Sequence, residues 1–308
     1  MGKARITVMG SFNVDLMMRA HHLPARGETV KGTTFKIGPG GKGSNQAVAA
    51  QRAGAEVTMI TKIGKDHFAP IALDSFRNEG MDTSFVFQDN DCATGAALIM
   101  VDENTGENII VIAPGANERI TREDMELART RIEGSQVLLT QLETNIEAVE
   151  WAVDIAHRRG IPTMLNPAPA CAIPDHLLKK ISILTPNETE ASILVGFEVV
   201  TVGDASKAAR LLVKKGIQNV IVTLGDKGAL VVTDNEERLI DGLKVDVVDS
   251  TGAGDAFSGG LATALAEGKN IFEAAEFANA TAALCVTKIG TAPAMPSRRE
   301  IEEALKGK

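Results

Sequence analysis

Short apolar runs alternate with helix-length segments along almost the whole of this 308-residue chain. The runs are Ile6–Met9, Val57–Ile63, Gln136–Thr140, Pro162–Leu165, Ile181–Thr185 and Asn219–Thr223. Their apolar character is continuous, as in parallel strands covered on both faces. Helical patterns fall near Ser44–Arg52, His67–Asn78, Arg122–Ile132, Ile146–Arg158, Glu188–Val195 and Ala205–Lys214. Gly54, Gly80, Gly134, Gly160 and Gly216 follow five of them, in the position that favours a helix stop. The pattern predicts an α/β fold with a doubly wound, mostly parallel central sheet flanked by helices.

Two regions break the alternation. Val14–Ile37 and Thr94–Ala113 read as short β segments with no helix between them. In the second, Ala96–Val101 and Asn108–Ile112 flank the turn Asp102–Glu107, which predicts a hairpin. Insertions of this kind in an α/β core predict a small β-sheet lid beside the site, and also a surface for a second copy. No repeat, low-complexity tract or linker divides the chain, so residues 1–308 read as one domain carrying lid segments at about 14–37 and 94–113.

Composition narrows the partners. The formal charge is −8 with no basic block, which argues against nucleic acid, whose phosphates need clustered Lys and Arg. No apolar run approaches the length of a membrane span, and Met1–Gly10 reads as a short basic start followed by a strand, without a signal-peptide core. Cys92, Cys171 and Cys285 lie far apart, with no metal spacing, and suit a reducing cytoplasm.

Three groups of residues carry chemistry. The first is Asp249-Ser250-Thr251-Gly252-Ala253-Gly254-Asp255, between a strand-like run, Leu243–Val248, and a helix-like run, Ala256–Glu267. Its glycines let backbone N–H groups converge where a new helix adds the positive end of its dipole. A carboxylate in that place suits a general base, Asp255, beside donors that hold an oxyanion or phosphoryl group. The plainer reading is a helix cap with glycines for tight packing. The second group, Gly38-Pro39-Gly40-Gly41-Lys42-Gly43-Ser44-Asn45-Gln46, matches G-x-G-x-x-G. A dinucleotide site is one reading, although a β insertion separates it from the first core strand. The other is a turn that a small polar ligand approaches closely, with Lys42 and Asn45 supplying hydrogen bonds.

The third group lies past the strand ends: Asn13 and Asp15, Gln141 to Glu143, Asn166 to Ala170, Asn187 to Glu190, and Thr223 to Gly228. Ligands of open α/β sheets bind at this edge. Such a mixture of amides, carboxylates and Lys suits a polyhydroxylated ligand, and carboxylates near a phosphate nest suggest hydrated Mg²⁺. His21-His22 is not a metal pair by this reading, because adjacent strand residues point opposite ways. Asp234–Glu237 reads as a hairpin turn, Ala278–Ala283 as a tightly packed helix, and Arg298–Lys308 as a solvated terminal helix.

Over nearly its whole length the chain resembles the ribokinase/PfkB superfamily of sugar kinases. The resemblance rests on Gly40-Gly41-Lys42-Gly43-Ser44-Asn45-Gln46-Ala47, Asp249–Asp255, Asn166-Pro167-Ala168-Pro169 and Asn187-Glu188-Thr189-Glu190. It implies ATP-dependent phosphorylation of D-ribose at its 5-hydroxyl, and a β lid that joins two copies into a homodimer. Carried over by position, Asp255 is the base, and Gly252, Ala253 and Gly254 form the anion hole. Asn13, Asp15, Gly41, Lys42, Asn45 and Glu143 bind the sugar. Asn187, Thr223, Leu224, Gly225, Asp226, Lys227, Gly228, Gly254 and Asn279 contact or border the nucleotide, and Glu190 orients Mg²⁺ and its waters. Asp249, Thr251 and backbone positions at Cys285, Lys288 and Gly290 match the ligands of an activating K⁺. One departure is Ala294, where some relatives place a serine hydroxyl on that ion.

The late motif is shared by kinases of other sugars, so 2-deoxyribose and fructose are alternative substrates. An NAD-linked oxidoreductase would explain Gly38–Gly43 but not Asp249–Asp255. A sugar-binding regulator would have no use for Asp255. Asn13 favours ribose, because close relatives that act on deoxyribose tend to carry an apolar residue there, near the sugar's 2-carbon.

Overall fold

A computed structural model describes residues 3–307, so Met1, Gly2 and Lys308, at the edges of the expected basic start and terminal helix, lie outside the described residues. The strands are β1 (Arg5–Met9), β2 (Asn13–Ala20), β3 (Thr34–Gly40), β4 (Glu56–Gly64), β5 (Val86–Asp89), β6 (Gly95–Asp102), β7 (Asn108–Ala113), β8 (Val137–Thr140), β9 (Thr163–Leu165), β10 (Ile183–Leu184), β11 (Asn219–Thr223), β12 (Ala229–Thr233) and β13 (Glu237–Ile240). The helices are α1 (Lys42–Arg52), α2 (Ala69–Asn78), α3 (Arg122–Glu133), α4 (Ile146–Arg158), α5 (Asp175–Leu178), α6 (Glu188–Val195), α7 (Val202–Lys214), α8 (Ala253–Ala266), α9 (Ile271–Cys285) and α10 (Arg298–Lys306).

Nine strands form the main sheet in the order β13-β12-β11-β10-β9-β8-β1-β4-β5. Its pairs are parallel except β11 with β12 and β12 with β13. Side chains leave the strands on alternate faces. From β1, Ile6 and Val8 join a core under α1, α2, α8, α9 and α10. Met9 joins a second core under α3 to α7. Burial on both faces is why these strands read as unbroken apolar runs.

The helix stops behave as expected at Gly54, Gly80, Gly160 and Gly216, all with positive φ. Gly134 differs: it caps α3 with φ −94, so the left-handed region is not what selects glycine there. Several helix starts are set by capping boxes, such as Thr201 with Asp204 on α7 and Asn187 with Glu190 on α6.

The segment 243–248 is not a strand. Its last N–H, that of Val248, donates to Val286 O at 2.8 Å, as does the N–H of Asp249 just beyond the segment at 3.1 Å. Its apolar residues gave a strand-like pattern, but Val247 and Val248 are exposed and pair with no sheet neighbour. The short strand β5 was not anticipated.

The segments expected to form a lid build a separate, smaller sheet ordered β3-β2-β6-β7, with β2 and β6 parallel and the outer pairs antiparallel. Asn13 and Asp15 sit on β2 itself, two residues apart and on one face, rather than in a loop after β1. Opposite that face, register aligns Leu16 with Ile37 and Leu98, and Leu98 with Val111. It likewise aligns Met18 with Phe35 and Met100, and Met100 with Ile109. Met18, Phe35, Ile37, Leu98, Ile109 and Val111 are all exposed there.

Among the described residues no helix is long and apolar enough to cross a membrane. Cys92, Cys171 and Cys285 are unpaired, and no cluster of three or more metal-ligating side chains is present among those residues. His22 meets Glu28 at 2.9 Å and His21 meets Glu103 at 3.4 Å, two separate surface contacts.

Candidate active site

The two glycine-rich helix starts have opposite fates. α1 begins at Lys42 behind Gly41, whose φ is 89. A Cβ there would come within 2.7 Å of Asn13 N and 2.9 Å of Phe12 Cα, so only glycine fits. The first N–H groups of α1 are occupied: Lys42 N donates to Glu143 Oε2 (3.0 Å), Gly43 N to Ser11 Oγ (3.3 Å) and Ser44 N to Ser11 O (2.8 Å). This helix end has no donor left for a pyrophosphate, so the dinucleotide reading fails here.

At α8 the N-cap Gly252 is left-handed, with φ 81, and no side chain caps the helix. Ala253 N makes a long bond to Ser250 O (3.3 Å). Among the described residues no acceptor meets the N–H of Gly254 or Asp255. Open donors at the positive end of a helix make a site for an anion.

Asp255 is buried in the first turn of α8. Asn45 Nδ2 donates to its Oδ2 (2.9 Å) and Gln46 Nε2 to its Oδ1 (3.0 Å). Close packing of α1 on α8 makes this possible. A Cβ on Gly259 would lie 2.7 Å from Gln46 O, and one on Gly260 would lie 2.6 Å from Thr281 Oγ1 of α9.

A cleft of about 530 Å³ opens at α8's N-terminus. It is lined by Lys42, Asn187, Glu190, Thr223, Gly252, Ala253, Gly254 and Asp255, and also by Asn166, Thr185 and Ser250. β10 and β11 deliver Asn187 and Thr223 side by side through an isolated bridge. Burial pushes the Glu190 carboxyl up, with the Asn187 N–H and Lys42 opposing the shift and Asp255 adding to it. Burial disfavours the Lys42 ammonium, but Asp255, Glu143 and Glu190 outweigh it and hold that group above its ordinary range.

Next to Asp255, and sharing Lys42 with the cleft, lies a cluster of polar groups. Glu143 Oε2 accepts from Ser11 Oγ, Asn13 Nδ2 (3.3 Å) and Lys42 N (3.0 Å). Burial, with Glu143 and Asp255 nearby, raises the Asp15 carboxyl to about 7. Gly40 makes room for Asp15, because a Cβ there would overlap the carboxylate. Asn117, which sequence reasoning missed, is fully buried. Its Oδ1 accepts from Phe12 N, and its Nδ2 donates to Phe12 O, Asn13 Oδ1 and Pro114 O, each at 2.9 Å. The Asn13 amide is thereby turned so that Nδ2 faces Glu143. Among the described residues no donor meets the buried Asn45 Oδ1.

Other expected positions lie around this centre. Leu224 is buried, and Gly225, Asp226 and Lys227 form an exposed turn that does not line the cleft. Gly228 packs where a Cβ would come within 2.5 Å of Gly242 N. Asn279 donates Nδ2 to Ile240 O (2.9 Å) and Asp241 O (3.3 Å), so it braces the loop after β13. Asp249 joins two loops by accepting from Thr251 N and Gly290 N, both at 2.9 Å. Burial opposes its charge, but donors from Thr251 and Gly290 outweigh this and keep its carboxyl below the usual range. The Lys288 ammonium pairs with Glu300 (2.8 Å). Burial pushes the Cys285 thiol up to about 11, with Asp255 and Asp249 adding to the shift, so only its backbone oxygen is available as a ligand. Ala294 is fully buried and adds no side-chain oxygen.

Comparison with known proteins agrees with this geometry. The profile of the pfkB family of carbohydrate kinases matches residues 3–298. The chain is 43% identical over 300 residues to a ribokinase of Haemophilus influenzae, covering 97% of this chain and 98% of the relative. It is also 39% identical over 301 residues to a deoxyribokinase of Salmonella typhi, covering 97% and 98%. The solved structure of an Arabidopsis thaliana ribokinase complexed with ribose and ATP superposes with a TM-score of 0.89 at 31% identity over 99% of both chains. With a family match that spans both helix starts, the polar cluster and the cleft, this chain belongs to the pfkB family of carbohydrate kinases.

Proposed function

We propose that this chain transfers the γ-phosphoryl group of ATP to O5 of D-ribose, giving D-ribose 5-phosphate and ADP. The observation that carries the reading is the place of Asp255, between the open N–H groups of α8 and the cluster of Asn13, Asp15, Lys42, Asn45 and Glu143. In this reading Asp255 takes the proton of the 5-hydroxyl as the O5–phosphorus bond forms, and the bond from phosphorus to the bridging oxygen of ADP breaks. The N–H groups of Gly254 and Asp255, with Ala253 and Lys42 beside them, hold the charge on the phosphoryl oxygens in transit. Asn187 and Thr223 border the nucleotide side, with Gly225, Gly228 and Asn279 shaping the wall behind it.

The residues fit Mg²⁺ held through water and phosphate. Glu190 is a half-buried carboxylate facing a cleft that it shares with Asp255, and no protein cage of three ligating side chains exists among the described residues. Mg²⁺ so placed would neutralise phosphate charge. A monovalent cation also fits between the loops that Asp249 joins, near Thr251, Cys285, Lys288 and Gly290, because Asp249 is kept ionised there. K⁺ in that place would add positive charge behind the anion hole.

Ribose is favoured over 2-deoxyribose by Asn13. Its Oδ1 is held by Asn117, and its Nδ2 has a second hydrogen beyond the one aimed at Glu143. A sugar lacking the 2-hydroxyl would leave that donor unmatched. The chain works as one kinase domain, with lid segments at about 14–37 and 94–113 whose exposed apolar face supports a homodimer. Three unpaired thiols support a cytoplasmic setting.

A coupled ADP-release assay with Mg-ATP and ribose, 2-deoxyribose or fructose tests the assignment. Each sugar is run with KCl or with a large organic cation in its place. Turnover fastest with ribose and dependent on K⁺ is expected. Brisk turnover with another sugar and none with ribose would overturn the substrate.

A further inference from the structure

Behind Asp255 runs a chain of buried amides that the reaction as described does not use. Asn166 Nδ2 donates to the backbone oxygen of Thr185 (2.9 Å). Gln46 Nε2 donates to Asn166 Oδ1 and to Asp255 Oδ1, both at 3.0 Å. Gln141 Nε2 donates to Gln46 Oε1 (2.6 Å). Gln46 is fully buried, Gln141 is 1% exposed and Asn166 is 6% exposed.

The direction of this chain is fixed by one group that cannot turn round. A backbone carbonyl only accepts, so the Thr185 oxygen requires the nitrogen end of Asn166. That leaves Asn166 Oδ1 facing Gln46, which must answer with Nε2. Its two hydrogens then match its two acceptors, Asn166 Oδ1 and the Asp255 carboxylate. Gln46 Oε1 in turn needs a donor, and Gln141 supplies it. Gln141 does so although its own Oε1 is left buried without a partner. Turning it over would set two amide oxygens against each other. Gly10 belongs to the same arrangement, because a Cβ there would overlap Gln141 Oε1.

We infer that Gln46 and Gln141 are positioning residues for phosphoryl transfer, the amide chain anchored at Thr185 holding the Asp255 carboxylate in a single orientation. The inference rests on the reading of Asp255 as the base. Asn45 grips Oδ2 and Gln46 grips Oδ1, so a donor on each oxygen restrains rotation of the carboxylate plane about its last bond. Without Gln46 the carboxylate pivots on Asn45 alone. Misplacement of a reacting group by about 1 Å is enough to lower a rate by about 10²-fold. Because Asn166 and Thr185 line the cleft, the same chain ties the base to the wall that receives the nucleotide.

The test is a double-mutant cycle read as kcat and KM for ribose and for ATP, on variants whose thermal melts show them folded. Gln46→Met keeps the bulk but removes the donor, and is expected to lower kcat by about 10²-fold with both KM values within about threefold of wild type. Gln141→Met, which does not touch Asp255, is expected to act in the same direction by about tenfold. On the residual turnover of Asp255→Asn neither substitution should have a further effect, since they act only through that carboxylate. Equal losses with and without Asp255, or losses carried by KM, would overturn the inference. If Gln46→Met does not fold, the cycle with Gln141→Met decides alone. Full turnover by Asp255→Asn would instead sink the assignment of the base, a separate failure from a dead Asp255→Asn beside a fully active Gln46→Met.

Discussion

Asn45 and Asp255 lie 210 positions apart in the chain, and their side chains meet Nδ2 to Oδ2 at 2.9 Å. The contact exists because α1 and α8 approach over glycine, where a side chain on Gly259 would press on Ala50 N at 2.8 Å. It joins the early glycine-rich motif to the late one, so that neither makes a site alone. The early helix end is closed by Ser11 and Glu143, and the late one is open. In the proposed reaction the first serves the sugar side and the second the phosphoryl group.

Gly254 separates stability from activity. A Cβ there would meet nothing within 4 Å, and its φ is not in the left-handed region. Alanine is the better helix former, so Gly254→Ala is expected to raise stability by about 0.5–1 kcal/mol. The same methyl group points into space that lines the cleft, so kcat should fall at least tenfold. Thermal melts and steady-state kinetics on the one variant check both halves. A variant that is both more stable and fully active would contradict the role given to this turn.

Asn13→Met is expected to narrow the preference for ribose over 2-deoxyribose by roughly tenfold. Tenfold is about 1.4 kcal/mol, within the roughly 1–3 kcal/mol of a buried donor left unmatched by the poorer substrate. The ratio of kcat/KM values for the two sugars measures it. An unchanged ratio would remove Asn13 from the account of selectivity.

Sugar binding is expected to depend on pH through Asp15. Its carboxyl is raised to about 7, chiefly by burial and then by Glu143 and Asp255. Between the ordinary value near 3.8 and about 7 the folded protein therefore holds a proton that the unfolded chain has lost. Its contribution to stability is full below the lower value and is lost as pH rises through the upper one. Asp15→Asn should melt with the wild type near pH 4 and above it at pH 8. Sugar hydroxyls that donate to the carboxylate favour its ionised form, so ribose binding at pH 7 should release protons. Calorimetry in buffers of different ionisation enthalpy would show this, and no release at pH 7 would contradict it.

Much of the fold was legible because buried parallel strands and glycine-stopped helices leave local marks, as at Val57–Ile63 and Gly54. The segment 243–248 carried the same apolar mark without a partner strand, and β5, Val86-Phe87-Gln88-Asp89, is half polar and leaves no unbroken apolar run. The site was legible where a motif is contiguous, as in Gly40–Asn45 and Gly252–Asp255. Asn117 was not, since its value lies in contacts 105 positions away with Phe12. The chain through Gln141, Gln46 and Asn166 spans separations of 95 and 120 positions, so its hydrogen-bond direction exists only in the folded protein. The closure of the α1 start by Ser11 and Glu143 was hidden for the same reason.

The apolar face of the smaller sheet predicts assembly. Six exposed side chains, Met18, Phe35, Ile37, Leu98, Ile109 and Val111, share one face of the small sheet. Each is already about half covered, so burying the rest contributes roughly 1 kcal/mol apiece. Sedimentation equilibrium should find a dimer, and Leu98→Glu should convert it to monomer. A wild-type monomer at micromolar concentration would contradict this.

Replacing Asp255 removes the proposed base outright. Asp255→Ala, assayed by ADP release with saturating Mg-ATP and ribose, is expected to lose at least about 10³-fold in kcat, at the middle of the range for a general base. Its thermal melt should remain cooperative, with ribose still bound. A folded Asp255→Ala protein that turns over ribose within tenfold of wild type would show that this carboxylate is not the base.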